Sequence, residues 1–320
     1  MRPFELTAPE TVDAALASPG TFLAGGTTLV DLMKLDVLTP ERVLDINTLP
    51  LQGIDTTDGL RIGALERMSD VAAHPGTYPV ISRALLLSAS QQLRNMASIG
   101  GNLMQRTRCG YFRDVSVPCN RREPGSGCPA LTGANRMHAV LGTSESCVAT
   151  HASDLAVALV ALDARVRLVG SDGERTVALA DFYRMPADTP EVETDLRQGE
   201  LISEVLVPRL DWASRSTYVK VRDRQSYEFA LCSAAVALDV QDSRIVDARV
   251  AAGGVATVPW RLPSVEQALR GAPPTQETFE AAAALATEGA RPLSGNGFKA
   301  PLLRRTIIRA LREVTEEDRA

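Results

Sequence analysis

The chain has 320 residues, of which 34 are basic and 39 acidic, so its formal net charge is −5. Hydrophobic residues make up 45% of the sequence, enough for a sizeable core in two domains or three small ones. The charge balance excludes the basic patch that nucleic-acid binding requires, and no apolar run reaches the roughly 18 residues of a membrane span. The N-terminus lacks the charged-then-apolar pattern of a signal peptide, so we expect no export signal of its own.

The first 50 residues have the apolar pattern of a short βαβ-like unit. The predicted elements are helices at Thr11–Leu16 and Leu29–Leu35 and strands at Phe22–Ala24 and Arg42–Ile46. Beyond them we predict a strand at Leu60–Ile62, helices from Ser69 and at Ile81–Ser90, a tight glycine-bearing turn at Asn95–Asn102, an apolar helix at Ser153–Leu162, a hairpin formed by Val166–Val169 and Arg175–Val177, and a strand at Leu201–Val207. No internal repeat is present.

The pattern changes after Pro208, and we place a domain boundary near residue 210. Three alternating segments predict strands and three amphipathic segments predict helices, which together favour a small sheet covered by helices. The strands are Thr217–Arg222, Ala230–Val240 and Ile245–Val250, and the helices are Ser264–Leu269, Glu277–Ala286 and Pro301–Glu313.

A Gly-Gly pair joins the strand at 22–24 to the helix that follows. Paired glycines let several backbone N–H groups turn towards one point, which suits a diphosphate. Thr28 and Asp31 have the spacing of a capping box, which predicts where the helix begins. The pattern is neither G-x-G-x-x-G nor a Walker motif, and many strand–helix turns contain Gly-Gly, so the loop alone leaves an ordinary turn as the alternative.

The segment 95–103 contains a second pair of glycines. Ser98 and Asn102 can donate hydrogen bonds to a ligand, and Gly100-Gly101 lets the backbone approach it closely. Without further evidence, the alternative to a ligand-binding segment is an ordinary turn. Asp154 opens the apolar helix at 153–162, either as a helix cap or as a carboxylate that accepts a hydrogen bond from a buried ligand.

Four of the five cysteines, Cys109, Cys119, Cys128 and Cys147, lie within 39 residues with the spacing C-x9-C-x8-C-x18-C. The stretch is polar and irregular, so something such as a metal centre is expected to hold it together. The spacing lacks the two tight pairs of a structural zinc site and is compatible with an iron–sulfur cluster, while zinc or no metal stay as alternatives. Cys232 lies in an apolar run and is predicted to be a core residue.

Other side chains in or next to this stretch allow two interpretations. His138 and His151 are possible stand-in ligands, with surface positions the favoured interpretation. The arginines at 106–108 and 121–122 are either solvated surface or a local source of positive charge.

Four motifs in this order resemble the FAD-binding subunit of the molybdenum hydroxylases, the family of xanthine dehydrogenase, aldehyde oxidoreductase and carbon monoxide dehydrogenase. They are LAGGTTL at 23–29, SIGGNL at 98–103, SDLAVAL at 153–159 and YVKVRDRQSYEFALCSAAVAL at 218–238, so the resemblance covers nearly the whole chain. Asn102 and Asp154 are 52 residues apart, farther than usual in the family, and most of the excess is the cysteine stretch. This departure is similar to the FAD subunits of bacterial periplasmic aldehyde oxidoreductases, which carry an additional [4Fe–4S] cluster.

The resemblance implies an α+β fold: a two-subdomain flavin-binding fold of the PCMH/vanillyl-alcohol-oxidase type, followed by a small C-terminal antiparallel sheet with helices. The expected domains are 1–209, with subdomains 1–53 and 54–209 and an iron–sulfur insertion at about 106–150, and 210–320, of the carbon monoxide dehydrogenase flavoprotein type. It implies that FAD contacts Leu23, Ala24, Gly25, Gly26, Thr27, Thr28, Leu29, Val30, Ser98, Gly101, Asn102, Asp154, Ile202 and Lys220. It also implies that the four clustered cysteines bind one [4Fe–4S] cluster.

By the same resemblance, the expected function is electron transfer within a complex. A large partner subunit would hold the molybdenum cofactor, a small one the [2Fe–2S] clusters, and FAD here would pass electrons to an external acceptor. Export to the periplasm together with a partner is expected, and a cytoplasmic location is the alternative. Two rival functions stay open, namely a self-contained flavin oxidoreductase with a structural zinc loop and a non-catalytic scaffold stapled by zinc.

Overall fold

The computed structural model describes residues 1–316, which form three β-sheets and twelve α-helices. The first sheet is parallel and consists of β1 (Glu5–Thr7), β2 (Thr21–Leu23) and β3 (Arg42–Asp45), in the order β1-β3-β2. Helices α1 (Val12–Ala17) and α2 (Leu29–Lys34) connect these strands, as parallel pairing requires. The predicted βαβ-like unit is therefore confirmed.

The second sheet is antiparallel and has five strands in the order β4-β5-β8-β6-β7. They are β4 (Ile54–Asp55), β5 (Leu60–Gly63), β6 (Arg165–Gly170), β7 (Gly173–Ala178) and β8 (Leu201–Val207). The helices between and beside them are α3 (Met68–Ala73), α4 (Pro79–Leu86), α5 (Gln91–Met96), α6 (Ile99–Leu103), α7 (Gly110–Arg113), α8 (Asp154–Ala161) and α9 (Leu179–Phe182). The tight turn predicted at 95–102 is wrong, because the second half of this segment begins a short helix, α6. Ser98 caps this helix by accepting a hydrogen bond from the Gly101 N–H.

The third sheet is antiparallel and carries the last three helices. Its strands are β9 (Ser216–Val221), β10 (Cys232–Gln241), β11 (Arg244–Gly253) and β12 (Trp260–Arg261), in the order β12-β11-β10-β9, and its helices are α10 (Pro263–Leu269), α11 (Gln276–Ala284) and α12 (Lys299–Glu316). The C-terminal antiparallel sheet with helices is thus confirmed. Cys232 is fully buried in the core of this region, as predicted.

Helix α8 is buried on every side, which explains its uniformly apolar sequence. It lies between α4 and the third sheet, and Ala235, Ala237 and Ala251 of that sheet belong to the same core as α8. The N-terminal residue of α8, Asp154, therefore lies where the middle of the chain meets the third sheet. Among residues 1–316, no helix has both the length and the apolar character that crossing a bilayer demands.

The cysteine stretch contains only one short helix, α7, and a 3-10 turn at Pro129–Leu131. Contacts with the C-terminal region hold its far end. Asn296, which is fully buried, donates to the carbonyl oxygens of His138 and Ala139, and the buried Lys299 Nζ donates to Met137 and Gly254. The expectation that only a metal centre orders this stretch is wrong, because these hydrogen bonds stabilise it as well.

Replacing Asn296 with Ala should lower the free energy of unfolding by about 2 kcal/mol, because two buried carbonyl oxygens lose their donor. Urea denaturation followed by circular dichroism measures this change. The control is Gln241→Ala, since the exposed Gln241 amide donates to Asp239 and its loss should cost less than about 0.5 kcal/mol. Equal stabilities of the two variants would contradict the role given to Asn296.

Candidate functional site

The loop at 24–28 follows β2 and precedes α2, and its shape depends on two glycines. Gly26 has φ +71°, a left-handed conformation that other residues adopt at a cost. At Gly25 a Cβ atom would lie 2.0 Å from the carbonyl oxygen of Met96. The loop therefore packs directly against the junction of α5 and α6, and the two glycine-bearing segments predicted from the sequence meet.

The junction of α5 and α6 is in turn connected to the start of α8. The Ser153 hydroxyl donates to Asn102 Oδ1 over 2.6 Å and accepts the Ala156 N–H that begins α8. This contact brings Asn102 and Asp154 together although they are 52 residues apart in sequence.

Two cavities lie along these elements. The first, the loop cavity, has a volume of about 450 Å³, and the second, the ion-pair cavity, has about 480 Å³. Of the residues predicted to contact FAD, the loop cavity is lined by Ala24, Gly25, Gly26, Thr27, Thr28, Leu29, Ser98, Gly101 and Ile202, and the ion-pair cavity by Thr27, Thr28, Asn102, Asp154 and Lys220. Thr27 and Thr28 border both. Leu23 and Val30, which were also predicted to contact FAD, line neither cavity.

A buried ion pair forms one wall of the ion-pair cavity. Lys220 Nζ donates to Asp154 Oδ2 over 2.7 Å and to the Leu87 carbonyl, and the two charged side chains are 1% and 8% exposed. Tyr218 donates its hydroxyl hydrogen to the same carboxylate, and the Ser88 hydroxyl shares its one hydrogen between this carboxylate and the Ala84 carbonyl. Burial, together with the Asp154 charge, raises the pKa of Tyr218 well above its usual value, so Tyr218 stays a neutral donor. A buried charge pair with this many hydrogen bonds is held in one geometry.

Helix α2 begins at Leu29, as predicted, but the predicted capping box is wrong. The Thr28 side chain makes no capping hydrogen bond. Asp31 instead accepts from Arg108 Nη1 over 2.7 Å and from both Nη atoms of Arg113 over 2.6 and 3.0 Å. The hydrogen bond from Arg113, aided by the charges of both guanidinium groups, lowers the pKa of Asp31. The carboxylate thus connects α2 to the cysteine stretch.

The four clustered cysteines line one small pocket together with His138. Backbone amides of Tyr111 and Phe112 lower the pKa of the Cys109 thiol, and those of Ala130 and Val148 lower the pKa of the Cys128 thiol. Ala149 N donates to Cys147 Sγ over 3.5 Å. Burial raises the pKa of Cys109 to about 11 and also raises that of Cys128, so these thiols need a nearby cation to ionise.

Among residues 1–316, no group of three or more histidine, cysteine, aspartate or glutamate side chains is arranged to hold a metal ion. The two histidines were predicted to be surface residues, and this is wrong for His138, which is 6% exposed with its Nε2 3.2 Å from Cys109 Sγ. The Nε2 atom of His151 is buried without a hydrogen-bond partner, and burial lowers the pKa of this residue to about 3.

Two family models match the chain. Residues 2–210 match the FAD-binding domain in molybdopterin dehydrogenase, and residues 217–314 match the carbon monoxide dehydrogenase flavoprotein C-terminal domain. The chain is 49% identical to the aldehyde oxidoreductase FAD-binding subunit of Escherichia coli, covering 94% of each protein. It is 31% identical to the glyceraldehyde dehydrogenase medium chain of Sulfolobus acidocaldarius, covering 78% of this chain and 73% of the relative.

Among solved structures, a carbon monoxide dehydrogenase from Hydrogenophaga pseudoflava superposes with a TM-score of 0.74 at 25% identity, covering 98% of both chains. The resemblance found in the sequence is thereby confirmed, and so is the predicted fold class.

Replacing Asp31 with Asn should loosen the cysteine stretch from α2, because the carboxylate that holds Arg108 and Arg113 loses its charge. We expect trypsin to cleave after these arginines several-fold faster than in the unmodified protein, as judged by mass spectrometry of timed digests. Asp36→Asn is the matched control, because Asp36 lies just beyond the same helix and pairs with the N-terminal amine at 3.5 Å. Equal cleavage rates in both variants would rule out the anchoring role.

Proposed function

The chain belongs to the family of FAD-binding subunits of molybdopterin dehydrogenases, and we propose that it is the FAD- and [4Fe–4S]-binding electron-transfer subunit of a molybdenum-dependent aldehyde oxidoreductase. One observation carries this proposal. Helix α2 follows the loop that lines both cavities, and its Leu32 packs with Phe112 and Cys119 of the cysteine stretch. This contact supports the proposal, because it brings the Gly-Gly loop and the cysteines, which are far apart in sequence, close together.

FAD would occupy the loop cavity and the ion-pair cavity, which share Thr27 and Thr28 in their linings. The N–H groups of the loop at 24–28 would hold the diphosphate. The side chains of Leu23 and Val30 pack beside this loop, since a Cβ atom on Gly26 would lie 3.2 Å from each of them. Asn102 would line the flavin in the ion-pair cavity, and Ser98 and Gly101 would contact FAD from the loop cavity. Bound FAD supplies the redox chemistry, and the protein orients it.

The ion-pair cavity would receive the flavin end of FAD. Asp154 would accept a hydrogen bond from the ring or the ribityl chain. Lys220 has three ammonium hydrogens, of which Asp154 and Leu87 take two, so one is left for a flavin oxygen. Ile202 would contact the cofactor from the loop cavity.

The donor set of the cysteine pocket fits a [4Fe–4S] cluster. Four thiols line one pocket, and the Ala149 N–H is directed at the Cys147 sulfur, as N–H groups that stabilise cluster thiolates are. The pocket has only about 10 Å³ of free space, so the thiols must separate as the cluster enters.

The aldehyde substrate and the partners of the complex are proposed from the E. coli relative, which is named as an aldehyde oxidoreductase subunit. A large subunit would hold the molybdenum cofactor and oxidise the aldehyde, and a small subunit would carry the [2Fe–2S] clusters. We also propose the division into a flavin domain, 1–209, and a C-terminal domain, 210–320. The two family matches support this division, and residues 317–320 lie outside the described part of the chain.

Replacing Gly26 with Val should abolish flavin binding, because Val disfavours φ +71° and its Cβ would lie 3.2 Å from Leu23 and Val30. Flavin per chain, measured by absorbance after heat release, should fall to a small fraction. Gly271→Val is the matched control, since Gly271 has φ +78° in open space away from both cavities. Full flavin content in a folded Gly26→Val protein would refute the assignment.

Replacing any of Cys109, Cys119, Cys128 or Cys147 with Ser should lower iron and acid-labile sulfide per chain and weaken the EPR signal after dithionite reduction. Cys232→Ser should leave the iron unchanged and cost modest stability through a buried hydroxyl. Zinc in place of iron in the purified protein would favour a structural zinc loop. Loss of iron in Cys232→Ser, or an unchanged cluster in one of the other four variants, would contradict the proposed ligand set.

A further inference from the structure

Arg121 is a buried cation that contacts a cysteine sulfur directly. Its side chain is 6% exposed. One guanidinium nitrogen, Nη2, donates to Cys147 Sγ over 3.6 Å, and the other, Nη1, pairs with Glu193 Oε2 at 2.6 Å. The planar fork of an arginine holds two acceptors in a fixed relation, which a lysine ammonium does not do.

The charges around Arg121 do not cancel. Glu193 also accepts from Arg106 Nε, so one carboxylate serves two guanidinium groups and one positive charge is left over. Arg106 is 25% exposed and is partly solvated, whereas Arg121 is not. A buried cation that shares its carboxylate with a second guanidinium is only partly neutralised, and a negatively charged group at the Cys147 sulfur would neutralise it further.

We propose that Arg121 is a positioning residue that raises the reduction potential of the iron–sulfur cluster by donating a hydrogen bond to Cys147. This inference rests on the proposed [4Fe–4S] site. The step concerned is the transfer of one electron to the cluster, from reduced flavin in the proposed complex and from dithionite in the test below, and no bond forms or breaks at the cluster and no proton moves there. The reduced cluster carries one more negative charge on its irons, sulfides and thiolates, and net charge together with hydrogen bonds to sulfur sets the potential of such centres.

Cys147 differs from the other cysteines in the kind of donor it receives. The Cys109 sulfur lies 3.2 Å from the Nε2 atom of the His138 imidazole, whereas Cys147 accepts from the Ala149 N–H and from a guanidinium that is always charged. Charge-assisted hydrogen bonds are roughly twice as strong as neutral ones. Of these contacts, the one from Arg121 should therefore stabilise the reduced cluster most strongly relative to the oxidised cluster.

The experiment is an anaerobic dithionite titration of the full chain, with the cluster followed by EPR and iron and sulfide measured in every sample. Arg121→Met removes the charge and the donor and should shift the potential to more negative values. Arg121→Lys keeps the charge but cannot reach both partners, so the same shift should be smaller. Glu193→Gln removes the opposing carboxylate and should shift the potential to more positive values.

Arg106→Met is the matched control, because it removes an arginine from the same Glu193 and leaves the contact between Arg121 and Cys147 in place. Its shift should be smaller than that of Arg121→Met. An unchanged potential in Arg121→Met with full iron content would overturn the inference, as would an equal or larger shift in Arg106→Met. If Arg121→Met holds no cluster, an unchanged potential in both Arg121→Lys and Glu193→Gln overturns it.

The iron and sulfide content of the unmodified protein separates this inference from the proposed function. An unmodified chain without iron and sulfide refutes the proposed cluster and the inference together. An unmodified chain with a cluster whose potential does not depend on Arg121 refutes the inference alone.

Discussion

The contact between helix α2 and the cysteine stretch is the constraint on which the rest of the site depends. Asp31 holds Arg108, which precedes α7, and Arg113, the last residue of α7, and Leu32 at the next position packs against Phe112. Because α2 also begins at the Gly-Gly loop, this contact sets the distance between the loop and the cysteines. A cluster bound by the cysteines would therefore lie close to a flavin bound by the loop, which is what electron transfer between them needs.

The C-terminal region closes the site from the other side. Lys220 on β9 pairs with Asp154 at the start of α8, and Asn296 and Lys299 hold the carbonyl oxygens at 137–139 of the cysteine stretch. The cysteine stretch is therefore held at both of its ends by the rest of the chain. Contacts within the protein already place the four thiols in one pocket. A metal centre would then bind to thiols that the fold has brought together.

Local patterns predicted the parts of the site that depend on local geometry. The Gly25-Gly26 loop, the start of α2 and the shared location of the four cysteines could be read from glycine pairs, apolar periodicity and spacing. The roles of charged and polar side chains could not, because they depend on partners that are distant in sequence. Asp31 has the spacing of a capping residue, yet it binds arginines 77 and 82 residues away. His138 similarly becomes buried only when the C-terminal region packs over it.

Anomalous X-ray diffraction from crystals of the full chain, recorded at the iron and zinc absorption edges, tests the central claim most directly. The account predicts a single iron-cluster peak bonded to the sulfurs of Cys109, Cys119, Cys128 and Cys147, with FAD density running through the loop cavity and the ion-pair cavity. A zinc peak among these sulfurs, or flavin density without any metal beside them, would contradict it.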